Sequence, residues 1–167
     1  YLSGADTGET YTAQTREELR PRRIFFLFKG EATAPPDSRQ REGLLADLQV
    51  EAISNTIKAG QSLVLKVVVR NSGSVVWLPA AARVGAVRFG IHLLDENGKL
   101  IDLDYFRRSL TDDSRQIMPR ETVEFTAEVA LPSAGRHVLQ CDLVSEGVCW
   151  FEHNGSRTVT LTVDVEP

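Results

Sequence analysis

The sequence lacks the features that would place it at once in a common functional class. It has no excess of positive charge, since 19 Lys and Arg residues stand against 23 Asp and Glu residues and give a formal net charge of -4. Nucleic-acid-binding proteins concentrate basic residues, so we expect no nucleic-acid partner. No apolar run approaches the roughly 20 residues that cross a bilayer, so we expect no direct membrane insertion, and the polar first residues do not resemble a signal peptide.

Cysteine is also scarce, with only Cys141 and Cys149 in the chain. They flank a Ser-Glu-Gly break and could face one another across a hairpin, so a disulfide between them is one alternative. Free buried thiols are the simpler expectation, because a single pair does not establish an oxidising compartment. His92, His137 and His153 lack the paired spacing of a zinc site. We therefore predict no metal ion and no cofactor.

The motifs of common enzymes are missing as well. The chain contains neither a Gly-x-Ser-x-Gly nucleophile elbow nor a Gly-x-x-x-x-Gly-Lys-Ser/Thr phosphate loop. The carboxylates of Asp102, Asp104, Asp112 and Asp113 could act as a glycosidase pair only if the fold held two of them at a defined separation across a sugar. Acidic residues along an exposed strand are common without any catalytic role. The sequence therefore predicts a protein that is not an enzyme.

What the chain does contain, from residue 44 onward, is a repeated strand pattern. In the segment 62–70, Leu or Val occupies every second position, and the positions between them hold a mixture of apolar and charged residues, as in a half-buried strand. Asn97-Gly98 and Asn154-Gly155 are both strong hairpin signals. Turns recur about every ten residues, and no confident amphipathic helix is present. We predict an all-β fold, an antiparallel immunoglobulin-like or jelly-roll sandwich of seven to nine strands.

The first part of the chain differs from this pattern. Residues 1–43 include the abrupt apolar run Ile24–Phe28 and a stretch that contains Pro35-Pro36 and no periodicity. We predict an N-terminal arm and linker over 1–43 and the β-sandwich over 44–167. The apolar run is expected to pack on the same domain or on a second copy of the chain, because an unpaired strand of that composition would aggregate.

Trp150 and Phe151 form an adjacent aromatic pair after the strand that ends near Val144. Neighbouring side chains of a strand point to opposite faces, so the two rings cannot both enter one core. We assign Phe151 to the core and expect Trp150 to meet a second surface, either a partner domain or a ligand. Trp77, which lies two residues before a proline, is also assigned to the core.

The segment 102–109 combines carboxylates, aromatic rings and two arginines. A regular strand would place Asp102, Asp104, Phe106 and Arg108 on one face and Leu103, Tyr105 and Arg107 on the other. Aromatic rings can cover the apolar faces of sugars, and guanidinium groups make directional hydrogen bonds. Surface ion pairing around a half-buried ring would explain the same residues. As candidate carbohydrate-binding residues we select Tyr105, Arg107, Arg108, Trp150 and His153.

Five segments within about residues 46–165 together form a recognisable pattern. They are Val-Val-Val-Arg-Asn-Ser-Gly-Ser-Val-Val-Trp (67–77), Val-Arg-Phe-Gly-Ile-His-Leu-Leu-Asp-Glu-Asn-Gly (87–98), Ile-Met-Pro-Arg-Glu-Thr-Val (117–123), Leu-Pro-Ser-Ala-Gly-Arg-His (131–137) and Cys-Asp-Leu-Val-Ser-Glu-Gly-Val-Cys-Trp-Phe (141–151). This pattern resembles an immunoglobulin-like module of bacterial surface-polysaccharide proteins, and similar sandwiches form the C-terminal carbohydrate-binding domains of the ATP-binding subunits of O-antigen ABC exporters (Wzt-like). The chain departs from the module at Arg120, where many relatives carry Gly.

The resemblance implies noncatalytic recognition of a surface polysaccharide, O-antigen or its modified terminus, coupled to export by an ABC transporter. It implies an ATPase domain and a transmembrane subunit as partners, a cytoplasmic place at the inner membrane, and a homodimer. The alternative is a protein-interaction module appended to a polysaccharide glycosyltransferase or methyltransferase.

Overall fold

The computed structural model describes residues 34–112 and 114–167. Residues 1–33 of the predicted arm, which include the Ile24–Phe28 run, therefore lie outside the described residues. Within Ala34–Pro167, which forms one unit, the strands and one short helix follow in chain order. They are β1 (Ala46–Ala52), β2 (Thr56–Lys58), β3 (Ser62–Asn71), β4 (Val87–Leu94), β5 (Leu100–Ser109), β6 (Thr122–Ala130), β7 (Gly135–Ser145), β8 (Cys149–Trp150), a 3-10 helix (Phe151–Asn154) and β9 (Val159–Glu166).

These strands form two sheets packed into a sandwich, which confirms the predicted all-β fold of seven to nine strands. One sheet has the order β1-β3-β6, and the other has the order β2-β9-β7-β4-β5, with β8 paired to the end of β7. The pairing is antiparallel except between β2 and β9, which run parallel. We call the second sheet the large sheet. Among the described residues no helix is long and apolar enough to span a membrane.

The core lies between the sheets and follows the alternation read from the sequence. On β3 the four alternate residues Leu63, Leu65, Val67 and Val69 are fully buried. Each such side chain contributes roughly 1.5–3 kcal/mol relative to an exposed position. At one end Trp77 and Phe151 meet edge to face, with ring centroids 5.4 Å apart. Both are completely buried, which confirms their assignment to the core.

The expected hairpin at Asn154-Gly155 is wrong. Phe151 enters the core beside Trp77, so the chain leaves the sheet immediately after Trp150 and turns through the 3-10 helix. Gly155 ends this helix at a positive φ of 93°, a conformation that glycine adopts without strain. The Asn-Gly pair therefore marks the end of a helix and not a β-turn between paired strands.

The segment just before β1 is bonded to the sandwich. The hydroxyl of Ser38, a fully buried residue, donates to the carbonyl of Gly85 and accepts from the amide of Leu78, at 2.5 and 2.9 Å. The hydroxyl of Ser145 in turn donates to the Ser38 carbonyl at 2.6 Å. The division of the chain at residue 43 stays a prediction, and the segment around Ser38 packs against the sandwich.

Candidate functional site

The outer face of the large sheet carries polar side chains close to its centre. On β4, Phe89 and Ile91 point into the core, so Gly90 and His92 point outward. β7 lies beside β4 with Gly90 opposite Asp142 and His92 opposite Gln140. The pleat therefore places His92 and Asp142 on the same outer surface although they are far apart in sequence.

Trp150 lies across this outer face. β8 pairs with β7 through Val144 and Trp150, and the indole extends over Gly90, whose missing side chain leaves the room. The imidazole of His92 contacts the indole, with ring centroids 4.1 Å apart. The prediction that Trp150 and Phe151 serve two surfaces is confirmed. Trp150 is only 8% exposed, however, so its ring is mostly covered.

Arg107 covers part of the Trp150 ring. Its guanidinium carbon lies 4.6 Å from the centroid of the Trp150 ring, a cation–π contact worth about 0.5–2 kcal/mol. Nε donates to Asp104, and Nη1 donates to Glu146 at 2.8 Å. Arg88 approaches the same Glu146 oxygen at 3.5 Å. The guanidinium is thus held between an aromatic ring and two carboxylates in one fixed orientation.

Tyr105 lies elsewhere, because the expected regular alternation of β5 is wrong between Asp102 and Phe106. Ile91 pairs with Phe106 but Leu93 pairs with Asp102, so three β5 residues stand opposite one β4 residue, and this bulge turns Tyr105 toward the other sheet. The Tyr105 hydroxyl donates to the Ala130 carbonyl at 2.5 Å, and burial raises the pKa of this phenol.

The two remaining candidates are also apart from Trp150. Arg108 covers the ring of Phe125, at 4.8 Å from guanidinium carbon to centroid, at the edge of the space between the sheets. His153 sits in the 3-10 helix with its side chain 55% exposed and its Nε2 3.8 Å from a Glu152 oxygen. Of the five predicted residues the structure therefore brings together Arg107 and Trp150.

Three residues that the sequence analysis did not select as ligands meet on the same outer face. His92, Asp142 and Glu152 each offer one ligand atom, and these atoms lie within 4.8 Å of one another. Burial is the main reason that the pKa of Asp142 is raised to about 6, although the amides of Glu152 and Leu143 donate to its carboxylate. A clue was available in the sequence: Asp142 is an acidic residue between the apolar residues Cys141 and Leu143 of β7.

Cys141 and Cys149 are both free thiols, as expected. Cys141 points into the core, and burial raises the pKa of its thiol to about 12. Cys149 is partly buried at the start of β8, and its pKa is also raised, mainly by burial.

A concave surface lies on the outer face of the three-stranded sheet. This groove has a volume of about 390 Å³. The polar side chains that line it include Gln49, Glu51, Lys66, Glu124 and Thr126. It is separated from Trp150 by the whole thickness of the sandwich, and it offers an alternative surface for a polar ligand.

No protein-family model matches this chain, and no curated protein matches it. The similar solved structures include a CARDB domain from Pyrococcus furiosus, in complex with di-metal ions, which is 15% identical with a TM-score of 0.45 over 75% of this chain and 96% of that one. A β-glucosidase from Listeria innocua, in complex with isofagomine, is 12% identical with a TM-score of 0.47 over 73% of this chain and 16% of that one. The sporulation control protein Spo0M from Bacillus subtilis is 15% identical with a TM-score of 0.43 over 74% of this chain and 50% of that one.

At such low identities a match bears on the fold alone, and at these TM-scores it carries no argument about ligands. None of these three structures is an exporter domain of the kind that the sequence resembles. The function must therefore be inferred from the chain's own residues.

Proposed function

We propose that this β-sandwich is a noncatalytic module that binds a bacterial surface polysaccharide, with Arg107 on the outer face of the large sheet as its principal contact. The sequence resemblance suggests O-antigen, or its modified terminus, as the polymer. The observation that carries the proposal is the fixed guanidinium of Arg107, stacked on Trp150 and braced by Asp104 and Glu146.

A guanidinium held in this way retains hydrogen-bonding capacity for a ligand. Arginine has five N–H donors, and here Nε and Nη1 are used within the protein. Nη2 has no hydrogen-bond partner in the part of the chain that is described, residues 34–112 and 114–167. Sugar hydroxyls and acidic substituents accept such bonds, and little side-chain entropy is lost on binding because the group is already fixed.

Trp150 has a different role in this proposal from the one the sequence suggested. Its ring is too covered to form an open stacking platform. It instead supports Arg107 from below, so that removing the indole would release the guanidinium. Tyr105 and Arg108 are directed toward the other sheet, and we do not include them in the contact surface.

The experiment is isothermal titration calorimetry of the 167-residue chain against a panel of lipid-free O-polysaccharides that differ in repeat unit and terminal modification. We expect one polymer class to bind the wild type, and Arg107→Ala to weaken that binding by about tenfold or more, since a hydrogen bond to a charged group contributes about 1.5–3 kcal/mol. Undiminished binding by a folded Arg107→Ala protein would contradict the proposed site.

Two variants serve as matched controls. Arg136 is an exposed arginine near the other end of β7, paired with Asp164, and Arg136→Ala should bind like the wild type. Lys66 lies in the groove of the three-stranded sheet, and Lys66→Ala should also have no effect. If Lys66→Ala alone abolishes binding, the module binds glycan in that groove and the assignment to Arg107 is wrong.

The coupling to export rests on the sequence resemblance. In that proposal the domain is cytoplasmic, is held at the inner membrane by an ATPase domain and a transmembrane subunit, and is a homodimer. Placing Arg107→Ala in the complete ATP-binding subunit should leave the polymer inside the cell, whereas Arg136→Ala should allow export. Normal export with Arg107→Ala would argue against the coupling.

One observation favours the alternative, a protein-interaction module. β5 has no neighbouring strand on its free side among the described strands, and Leu100, Ile101 and Leu103 on it are 49%, 61% and 50% exposed. Such an unpaired edge can accept a strand of a partner protein, which suits an interaction module. Acidic residues occupy the first half of β5 and Arg107 and Arg108 its second, so antiparallel pairing of two copies would also bring opposite charges together, which suits the homodimer of the first proposal.

Light scattering after size-exclusion chromatography separates these cases. A homodimer through β5 should become monomeric with Ile101→Lys. A monomeric wild type that binds no glycan but binds a purified polysaccharide glycosyltransferase or methyltransferase through this strand would support the alternative function.

A further inference from the structure

We propose that His92, Asp142 and Glu152 form a binding site for one divalent transition-metal ion, of the class to which Zn²⁺ and Mn²⁺ belong. The site would be separate from the Arg107 contact surface, and the inference does not depend on polysaccharide binding. It rests on the orientation of the histidine, on the support given to both carboxylates, and on the burial of the group.

His92 has the protonation pattern that a metal ligand needs. Its Nδ1 lies 2.5 Å from the carbonyl oxygen of Leu103, and because a carbonyl only accepts, Nδ1 carries the proton. In the neutral ring Nε2 then has a free lone pair. A histidine that donates one N–H to a carbonyl while its other nitrogen binds the ion is the usual arrangement in metal proteins.

The free nitrogen of His92 is buried and lacks a hydrogen-bond partner within the described residues. His92 is 1% exposed, and Nε2 is a buried atom with no hydrogen bond to any residue in the ranges 34–112 and 114–167. Leu103 belongs to β5 on one side of β4, so Nε2 on the far edge of the ring faces β7, where Asp142 lies. A buried polar atom without a partner costs about 1–3 kcal/mol, which a bound ion would offset.

The two carboxylates are oriented by neighbouring groups. Asp142 accepts from the amide of Leu143 at 2.7 Å with one oxygen and from the amide of Glu152 at 3.1 Å with the other. Gln140 donates to Glu152 at 3.2 Å. Each oxygen keeps a second lone pair for an ion, and the supporting bonds fix the direction in which it points.

Burial makes this pair of carboxylates electrostatically unfavourable without a counter-charge. Asp142 is only 1% exposed, and its carboxylate lies within 4.8 Å of that of Glu152. A divalent cation would neutralise both carboxylates at once. The bound ion would therefore offset the free-energy cost of holding these two carboxylates close together and away from water.

The ligand set determines the class of ion. One imidazole nitrogen with two carboxylates suits Zn²⁺, Mn²⁺ or Co²⁺, whereas Ca²⁺ and Mg²⁺ prefer oxygen ligands alone. Bonds of about 2.0–2.2 Å hold two ligands of one ion no more than about 4.4 Å apart, which is close to the 4.8 Å within which these atoms lie, so any adjustment needed for binding is small. Glu152, whose side chain is partly exposed, has the freedom to do this.

The test is titration of the chelator-treated 167-residue chain with ZnCl₂, MnCl₂ or CoCl₂ alone, by calorimetry. We expect one ion per chain, and we expect Glu152→Gln to weaken binding by at least about tenfold. This variant keeps an oxygen that accepts from Gln140, so it should remain folded. Asp142→Asn and His92→Gln should have similar or larger effects.

Two controls and one spectrum exclude surface binding. His153→Ala and Glu146→Gln remove a nearby histidine and a nearby carboxylate that lie outside the site, and both proteins should bind the ion like the wild type. The Co²⁺ spectrum should show no thiolate charge transfer, which excludes Cys149 as a ligand. The proposal is overturned if the wild type binds no ion below millimolar concentration, if Glu152→Gln binds as tightly as the wild type, or if His153→Ala is the variant that loses binding.

Discussion

The indole of Trp150 fills the space that a side chain at Gly90 would occupy: a β-carbon on Gly90 would lie 2.5 Å from Cζ3 of Trp150. Gly90 is therefore required by the packing on the outer face of the large sheet. Since Trp150 in turn supports Arg107 at 4.6 Å, a small residue in the middle of β4 sets the position of the proposed contact residue.

Gly90→Ala should destabilise the protein by about 1–3 kcal/mol, because overpacking forces neighbouring groups to move. The indole must leave its place, so Trp fluorescence should shift toward longer wavelength in the folded state. Urea denaturation measures the free energy of unfolding. In a Trp150→Ala background the same Gly90→Ala change should cost much less, and an equal cost in both backgrounds would mean that the ring does not occupy this space.

Arg120→Gly should stabilise the protein by about 0.5–1 kcal/mol. Arg120 is the one residue other than glycine with a positive φ in the described part of the chain, at 73°, and it follows Pro119 in a turn closed by the amide of Glu121 on the carbonyl of Met118 at 3.0 Å. A type II turn needs a left-handed residue at this position, which glycine adopts most easily. Arg120→Ala keeps the strain and serves as the control; a stabilisation of equal size with alanine would point to the lost charge instead.

Tyr105→Phe should cost about 0.5–1.5 kcal/mol of stability, because it removes the hydrogen bond from the phenol to the Ala130 carbonyl. The phenol faces the other sheet, so polysaccharide binding should be unchanged in calorimetry. Loss of binding by the folded variant would return Tyr105 to the contact surface and would contradict the position given to it by the bulge in β5.

The two thiols should react at different rates. Cys141 is completely buried and its pKa is raised to about 12, so an aromatic disulfide reagent should not modify it at pH 8 until the protein unfolds. Cys149 is partly exposed and should react slowly in the native state. Thiol counting should give at most one group in buffer and two in denaturant; Cys149→Ser should give none in buffer, and a reactive thiol in that variant would contradict the burial of Cys141.

The strands themselves could be predicted from the sequence, because the alternation of apolar and polar side chains is a local property. The pattern of Leu63, Leu65, Val67 and Val69 predicts which face of β3 is buried. Because Trp150 and Phe151 are adjacent, their side chains must point to two different surfaces. The departure from glycine at Arg120 was also visible in the sequence, but it indicated a different type of turn, whereas the structure keeps a positive φ of 73° there. None of these inferences depends on which strands become neighbours.

The placement of the candidate residues on β5 could not be predicted in the same way. A bulge changes which face each later side chain takes, and it depends on how β5 fits against β4. Tyr105 and Arg107 would have shared a face in a regular strand, but the bulge sends Tyr105 toward Ala130 and leaves Arg107 over Trp150.

By itself the sequence determined an all-β sandwich, the buried face of its regular strands, and the core positions of Trp77 and Phe151, because side-chain alternation and burial are fixed within each short segment. Only the tertiary structure decided that His92 meets Asp142 and Glu152, and that Arg107 is held on Trp150. Those groups come from different strands and, for Glu152, from the 3-10 helix that follows β8, and their distances depend on the order and register of the large sheet, which spacing along the chain does not encode.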